Sequence, residues 1–157
     1  MNESLIQILM AGLGTAGFAI YFHIRLRNLP AAVIGGVIGW IVYLLAEHLT
    51  NSILLSSLFA AFIVCIWSEI MARVIKAPVN VFMIPGLIPI IPGSGLYQTM
   101  RAMVNKDSAA LSDRGTYTGL TLIGLAVGIV AASVIFVYYR DISKAAKDRK
   151  ARKHVKS

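Results

Sequence analysis

The sequence predicts an all-α integral membrane protein of about five transmembrane segments, the fourth broken by proline and glycine, with the N-terminus outside and the C-terminus inside. Three observations carry this. The chain of 157 residues is 57% hydrophobic and only 14% charged, where a soluble domain carries roughly 25% charged residues. Ten of its 22 charged residues fall in the last 18 positions, so the rest is nearly bare of charge. The formal charge of +8 is therefore mostly a tail over 140–157, which contributes +6. It is not a basic face with interleaved aromatics of the kind that binds nucleic acid, and the expected partner is a lipid bilayer.

The membrane domain, 1–139, divides at its charges and prolines. The uncharged windows 4–24 and 116–139 are each long enough to cross about 30 Å of hydrocarbon. The window 30–46 is at the short limit for a span, and 49–68 reaches about 20 residues. Arg25, Arg27, Asn28 and Pro30 separate the first pair, and Glu47, His48, Thr50 and Asn51 the second. Connections this tight imply antiparallel neighbours. Glu3 precedes the first window and no basic residue does, so the positive n-region of a cleaved signal peptide is missing and the first span is expected to be retained.

The fourth window, 79–104, is apolar but contains Pro85, Gly86, Pro89, Pro92, Gly93 and Gly95. Proline removes a helix donor and clashes with the preceding turn, so no uniform helix runs through it. Lys and Arg in short loops favour the cytoplasmic side. If the broken window crosses, 12 of the 15 basic residues fall inside and only Arg101, Lys106 and Arg114 outside; if it does not, the split is 8 to 7. Five spans are the better reading.

The midpoint of that window falls between Ile91 and Pro92, where the bilayer centre would be. Neither half, about 20 Å and about 15 Å if helical, spans alone. Irregular backbone at that depth is tolerated only where protein or a water-filled cavity satisfies its polar groups. Secondary transporters use such breaks, presenting a half-helix N-terminus to an anionic substrate group. Here Ser94 is placed to cap a half-helix beginning near Gly95, and Tyr97 and Gln98 in its first turn would hydrogen-bond the same group. Arg101 would meet a substrate carboxylate, pair with an acid of a partner, or snorkel to the outer surface. The candidate substrate-binding residues are Pro89, Pro92, Gly93, Ser94, Gly95, Tyr97, Gln98 and Arg101. The pattern by itself equally describes a kinked span with structural glycines.

Other motifs are less informative. Gly12, Gly14 and Gly17 match G-x-G-x-x-G, but inside a hydrophobic span, without the strand and helix that a dinucleotide site requires. Like Gly35 with Gly39 and Gly124 with Gly128, they read as small-residue faces that pack helices within the chain or against a partner. Tyr21, Trp67, Tyr138 and Tyr139 read as inner interface anchors, and Tyr43 and Tyr117 as outer ones. Cys65 reads as a small core residue, and Glu47 and Glu69 as boundary residues. No P-loop, HExxH or nucleophile elbow occurs, so neither an enzyme nor a metal or other cofactor is expected. The basic tail is expected to hold the C-terminus at anionic lipid, with roughly 1 kcal/mol per basic residue near the surface.

The stretch Ile88-Pro89-Ile90-Ile91-Pro92-Gly93-Ser94-Gly95-Leu96-Tyr97 resembles the I-P-x-x-P-G-x-x-x-Y signature of the threonine/serine exporter family, in its small membrane-domain subunit. Chain length and span order are similar too, although only the proline–glycine segment is specific. The resemblance implies export of small amino acids such as threonine and serine, or of a dicarboxylate such as succinate, across a prokaryotic cytoplasmic membrane. It also implies a larger second subunit, a homo-oligomer, or both. The alternative is a noncatalytic assembly partner of a channel or transporter.

Overall fold

The computed structural model describes residues 2–155, with side chains described over 3–139. Its elements are all helical: α1 (Asn2–Tyr21), α2 (Leu29–Thr50), α3 (Ile53–Ile75), α4 (Asn80–Leu87), a 3-10 turn (Ile88–Ile90), α5 (Gly93–Val104) and α6 (Ser108–Val155). Four helices are long and apolar enough to cross a membrane, and the bent pair Asn80–Ile90 and Gly93–Val104, angled by 53°, makes a fifth if it counts as one span. The all-helical class, with four to five helices able to span a membrane, is thus the observed one.

The helices run beyond the expected windows because a boundary charge does not end a helix whose backbone bonds continue. α2 carries Glu47 and His48 in its last turns and stops only at Asn51, in the left-handed region at φ 48°. α3 starts at Ile53, four residues later than expected, and continues through Glu69 and Arg73 to Lys76, at φ 57°. α6 begins at Ser108, where the Asp107 carboxylate accepts the Ala110 N–H at 3.0 Å, the usual role of an N-cap acid. It is continuous past Tyr139 into the basic tail, whose side chains, and with them the tail's expected lipid contacts, lie outside the described residues.

Small residues set the packing. A Cβ on Gly36 would collide with Thr15, and one on Gly39 with Val64. A Cβ on Gly35 would sit 2.7 Å from the Trp67 ring, whose Nε1 donates to the Ala31 carbonyl at 2.8 Å. Trp67 is therefore part of the α2/α3 seam, and Tyr43, buried and stacked on Trp40 with centroids 5.3 Å apart, likewise packs inward. Gly124 and Gly128 lie against the Leu54 and Leu58 carbonyls of α3. Gly35, Gly39, Gly124 and Gly128 all serve seams within this chain. Gly14 and Gly17, by contrast, face open space.

These contacts also fix direction. Gly124 meets Leu54, Gly128 meets Leu58, and further along Phe136 and Tyr139 flank Arg73. α3 and α6 therefore run parallel. The chain leaving the end of α3 must return along the bundle before α6 begins, and α4, the 3-10 turn and α5 make that return.

Buried hydroxyls in the bundle are satisfied locally. Thr15, Ser56, Ser57, Ser68 and Thr121 each donate to the carbonyl four residues earlier, at 2.7–2.9 Å, so none of these five leaves an orphan hydroxyl donor.

Candidate functional site

The break is built by three prolines acting differently. Pro85 lies inside α4, fully buried. Pro89 is the second residue of the 3-10 turn, within its first turn, where a missing N–H costs little. Pro92, at φ −79° and ψ 64°, is the centre of a three-residue turn in which the Gly93 N–H donates to the Ile91 carbonyl at 2.8 Å. These are the angles of an inverse γ-turn. The two helical pieces are therefore bent by 53° at this turn, and α5 starts at Gly93.

Ser94 is consequently not a cap. It is the second residue of α5, exposed, and the helix start carries no side-chain cap bond. The Leu96 N–H is taken by the Pro92 carbonyl at 2.9 Å, while among the described residues the Ser94 and Gly95 N–H groups have no backbone acceptor. The positive end of α5 is thus open, as the sequence reading required, but without the serine that was expected to close it.

The depth of the break is set by its neighbours. Gly86 packs against Val64, 2.9 Å from where its Cβ would be, and the Ile90 side chain lies 3.3 Å from where a Cβ on Gly39 would be. Val64 and Gly39 sit at the midpoints of α3 and α2. The backbone therefore departs from helix half-way along two intact spans.

The expected site residues do not converge on one cavity. Pro89 joins Gln7, Met10, Gly14, Trp40 and Ile88 around a groove of about 270 Å³ between α1, α2 and the 3-10 turn. Trp40 Nε1 is buried without a hydrogen-bond partner. Gln98 and Arg101 line a second cavity, also about 270 Å³, with Asn105, Asp107 and Arg114 at the α5/α6 connection. Gly95 is a packing glycine, with the Thr118 hydroxyl 2.6 Å from where its Cβ would be. Tyr97 is 66% exposed, and neither it, Ser94 nor Gly93 lines either cavity.

Chemically the two cavities differ. The groove beside Pro89 is apolar apart from the Gln7 amide. The connection cavity holds two guanidiniums, two amides and the Asp107 carboxylate, which already accepts the Ala110 N–H, so positive charge is in excess and the two guanidiniums suit a carboxylate. Arg114 leans toward Asp113 at 3.8 Å, while among the described residues Arg101 has no ion-pair partner. Sequence reasoning missed Gln7, Trp40, Asn105 and Arg114, although Gln7, an amide within an apolar run, was a visible signal.

Taken together, the apolar helices, their small-residue seams and the mid-bundle break describe a multi-pass membrane protein. A family model described as "Threonine/Serine exporter, ThrE" matches residues 7–135, and the chain belongs to that family. A Haemophilus influenzae protein described only as uncharacterised is 26% identical over 113 residues, covering 72% of this chain and 38% of its own length. The chain thus spans about two fifths of that relative. No solved structure matches.

Proposed function

We propose that this chain is one subunit of a secondary exporter for small carboxylate-bearing metabolites, with threonine and serine first in the range and a dicarboxylate such as succinate second. The observation that carries this is the break at the midpoint of α2 and α3, with the uncapped start of α5 beside it. An open half-helix start attracts a carboxylate through free N–H groups and dipole charge. The groove at Pro89 and Trp40 and the cavity at Arg101 and Arg114 lie on either side of that break along the chain. They would form successive stations on an outward path.

In this reading the N-terminus is outside, the C-terminus inside, and the membrane is the cytoplasmic one, because that arrangement places 12 of 15 basic residues inside. A larger second subunit supplies the rest of the pathway, which suits a chain matching 38% of a longer relative. The test is efflux of preloaded threonine, serine and succinate from cells lacking this gene, and from cells complemented with both subunits. Reduced efflux of at least one supports the proposal; unchanged efflux of all three contradicts it.

The competing reading, an assembly partner, is favoured by one observation. Leu96, Tyr97, Met100 and Val104 form an exposed stripe on α5. Joint substitution of Pro92, Gly93 and Tyr97 separates the two readings: the exporter loses transport with the complex intact, whereas the scaffold loses the complex.

A further inference from the structure

A third cavity lies at the opposite end of the broken segment from Arg101. It is about 180 Å³, set between α3, the start of α4 and α6, and lined by Cys65, Glu69, Asn80, Met83, Ser133 and Phe136 among others. Glu69 is half-buried, its side chain 26% exposed, and its only ion-pair partner among the described residues is Arg73 at 3.5 Å. Arg73 is itself held aside, its guanidinium 5.1 Å from the Phe136 ring centroid and 5.8 Å from that of Tyr139. The carboxylate is therefore only loosely neutralised, on the wall of a cavity well above the ~10–15 Å³ that one water needs.

Each polar group can accept a hydrogen bond, the Asn80 amide being able to donate as well. Ser133 Oγ already donates its proton to the Ile129 carbonyl at 2.8 Å, so only lone pairs remain. Asn80 offers an amide oxygen and Glu69 a carboxylate. A bare divalent cation needs about six or more oxygen ligands, which this set does not supply, and among the described residues no cluster of His, Cys, Asp and Glu suits a metal. An ammonium group brings three N–H donors, matching one carboxylate, one amide and one hydroxyl.

We infer that the Glu69–Asn80–Ser133 cavity is a binding site for the ammonium group of a small zwitterionic amino acid. The inference rests on the exporter reading for the choice of ligand, and it places a loading station where the broken segment begins. A ligand there would bridge α3 and α6 to Asn80, the first residue of α4, coupling occupancy to the segment that carries the break.

The test is equilibrium binding of radiolabelled threonine to the full chain in lipid nanodiscs. Wild type should bind saturably, and 2-hydroxybutyrate, which lacks the ammonium, should not compete. Glu69→Gln should weaken binding roughly tenfold or more, as loss of a charge-assisted bond does, and Ser133→Ala by about threefold, so the result does not depend on one variant folding. The inference is overturned if wild type shows no saturable binding, if neither variant changes affinity, or if 2-hydroxybutyrate or sodium chloride competes as well as threonine. Unchanged affinity in both variants, with efflux intact, removes this site and leaves the exporter reading standing; binding without efflux does the reverse.

Discussion

The two halves of the broken segment have similar length and opposite surroundings. α4 and its 3-10 turn are packed among α1, α2 and α3, with Phe82 and Pro85 fully buried. α5 meets α6 and, among the described residues, no other helix. Its contact is a narrow seam of Gly95, Thr99, Gly115 and Thr118, in which the Thr99 and Thr118 hydroxyls lie 3.3 Å apart. One face of α5 carries this seam and the polar cavity, and the other the exposed stripe of Leu96, Tyr97, Met100 and Val104. The break thus joins an anchored half to a peripheral one, and the inverse γ-turn at Pro92 is the junction.

The comparison is broken most severely at Gly86. Gly86→Leu drives a side chain into Val64 and the α2 backbone and should cost about 2–3 kcal/mol from overpacking, seen as a lower unfolding midpoint in detergent. If stability does not change, α4 is not anchored as described. Next is Arg101→Gln, which should leave the fold intact and weaken substrate handling roughly tenfold, the loss of a charge-assisted bond, read as a rise in the KM for efflux.

A smaller effect is expected at the seam. Gly95→Ala pushes against the Thr118 hydroxyl and should cost about 1 kcal/mol. Thr118→Ala should restore most of that, and a double-mutant cycle in unfolding measures the coupling. The smallest is Gly93→Ala. Nothing lies within 4 Å of a Cβ there, so the helix start should gain a few tenths of a kcal/mol at most. A loss as large as that of Gly86→Leu would mean that the peripheral half is buried after all.

How much of this was legible depended on how local the cause was. The break itself was readable to within a residue, because proline and glycine act on their own backbone. The open start of α5 was readable as well, but Ser94 as its cap was not, since Pro92 turns the chain early and moves Ser94 into the helix. The seams at Gly35 with Gly39 and at Gly124 with Gly128 followed from four-residue spacing. Gly36, which no such pair marked, makes one of the tightest contacts, against Thr15. The cavities were invisible, since Trp40 and Pro89, or Glu69 and Ser133, meet only through the tertiary fold. Glu69 read as a boundary residue because depth along a helix was all that the chain offered.

If the segment from α4 to α5 crosses the membrane, the residues that flank it lie on opposite sides. Single cysteines introduced in a Cys65→Ala background, by Pro78→Cys before α4 and Ser108→Cys after α5, test it most directly with a membrane-impermeant thiol reagent on intact cells and on inverted vesicles. The account predicts that position 108 is labelled only in cells and position 78 only in inverted vesicles. Labelling of both from the same side would make the segment re-entrant and contradict it.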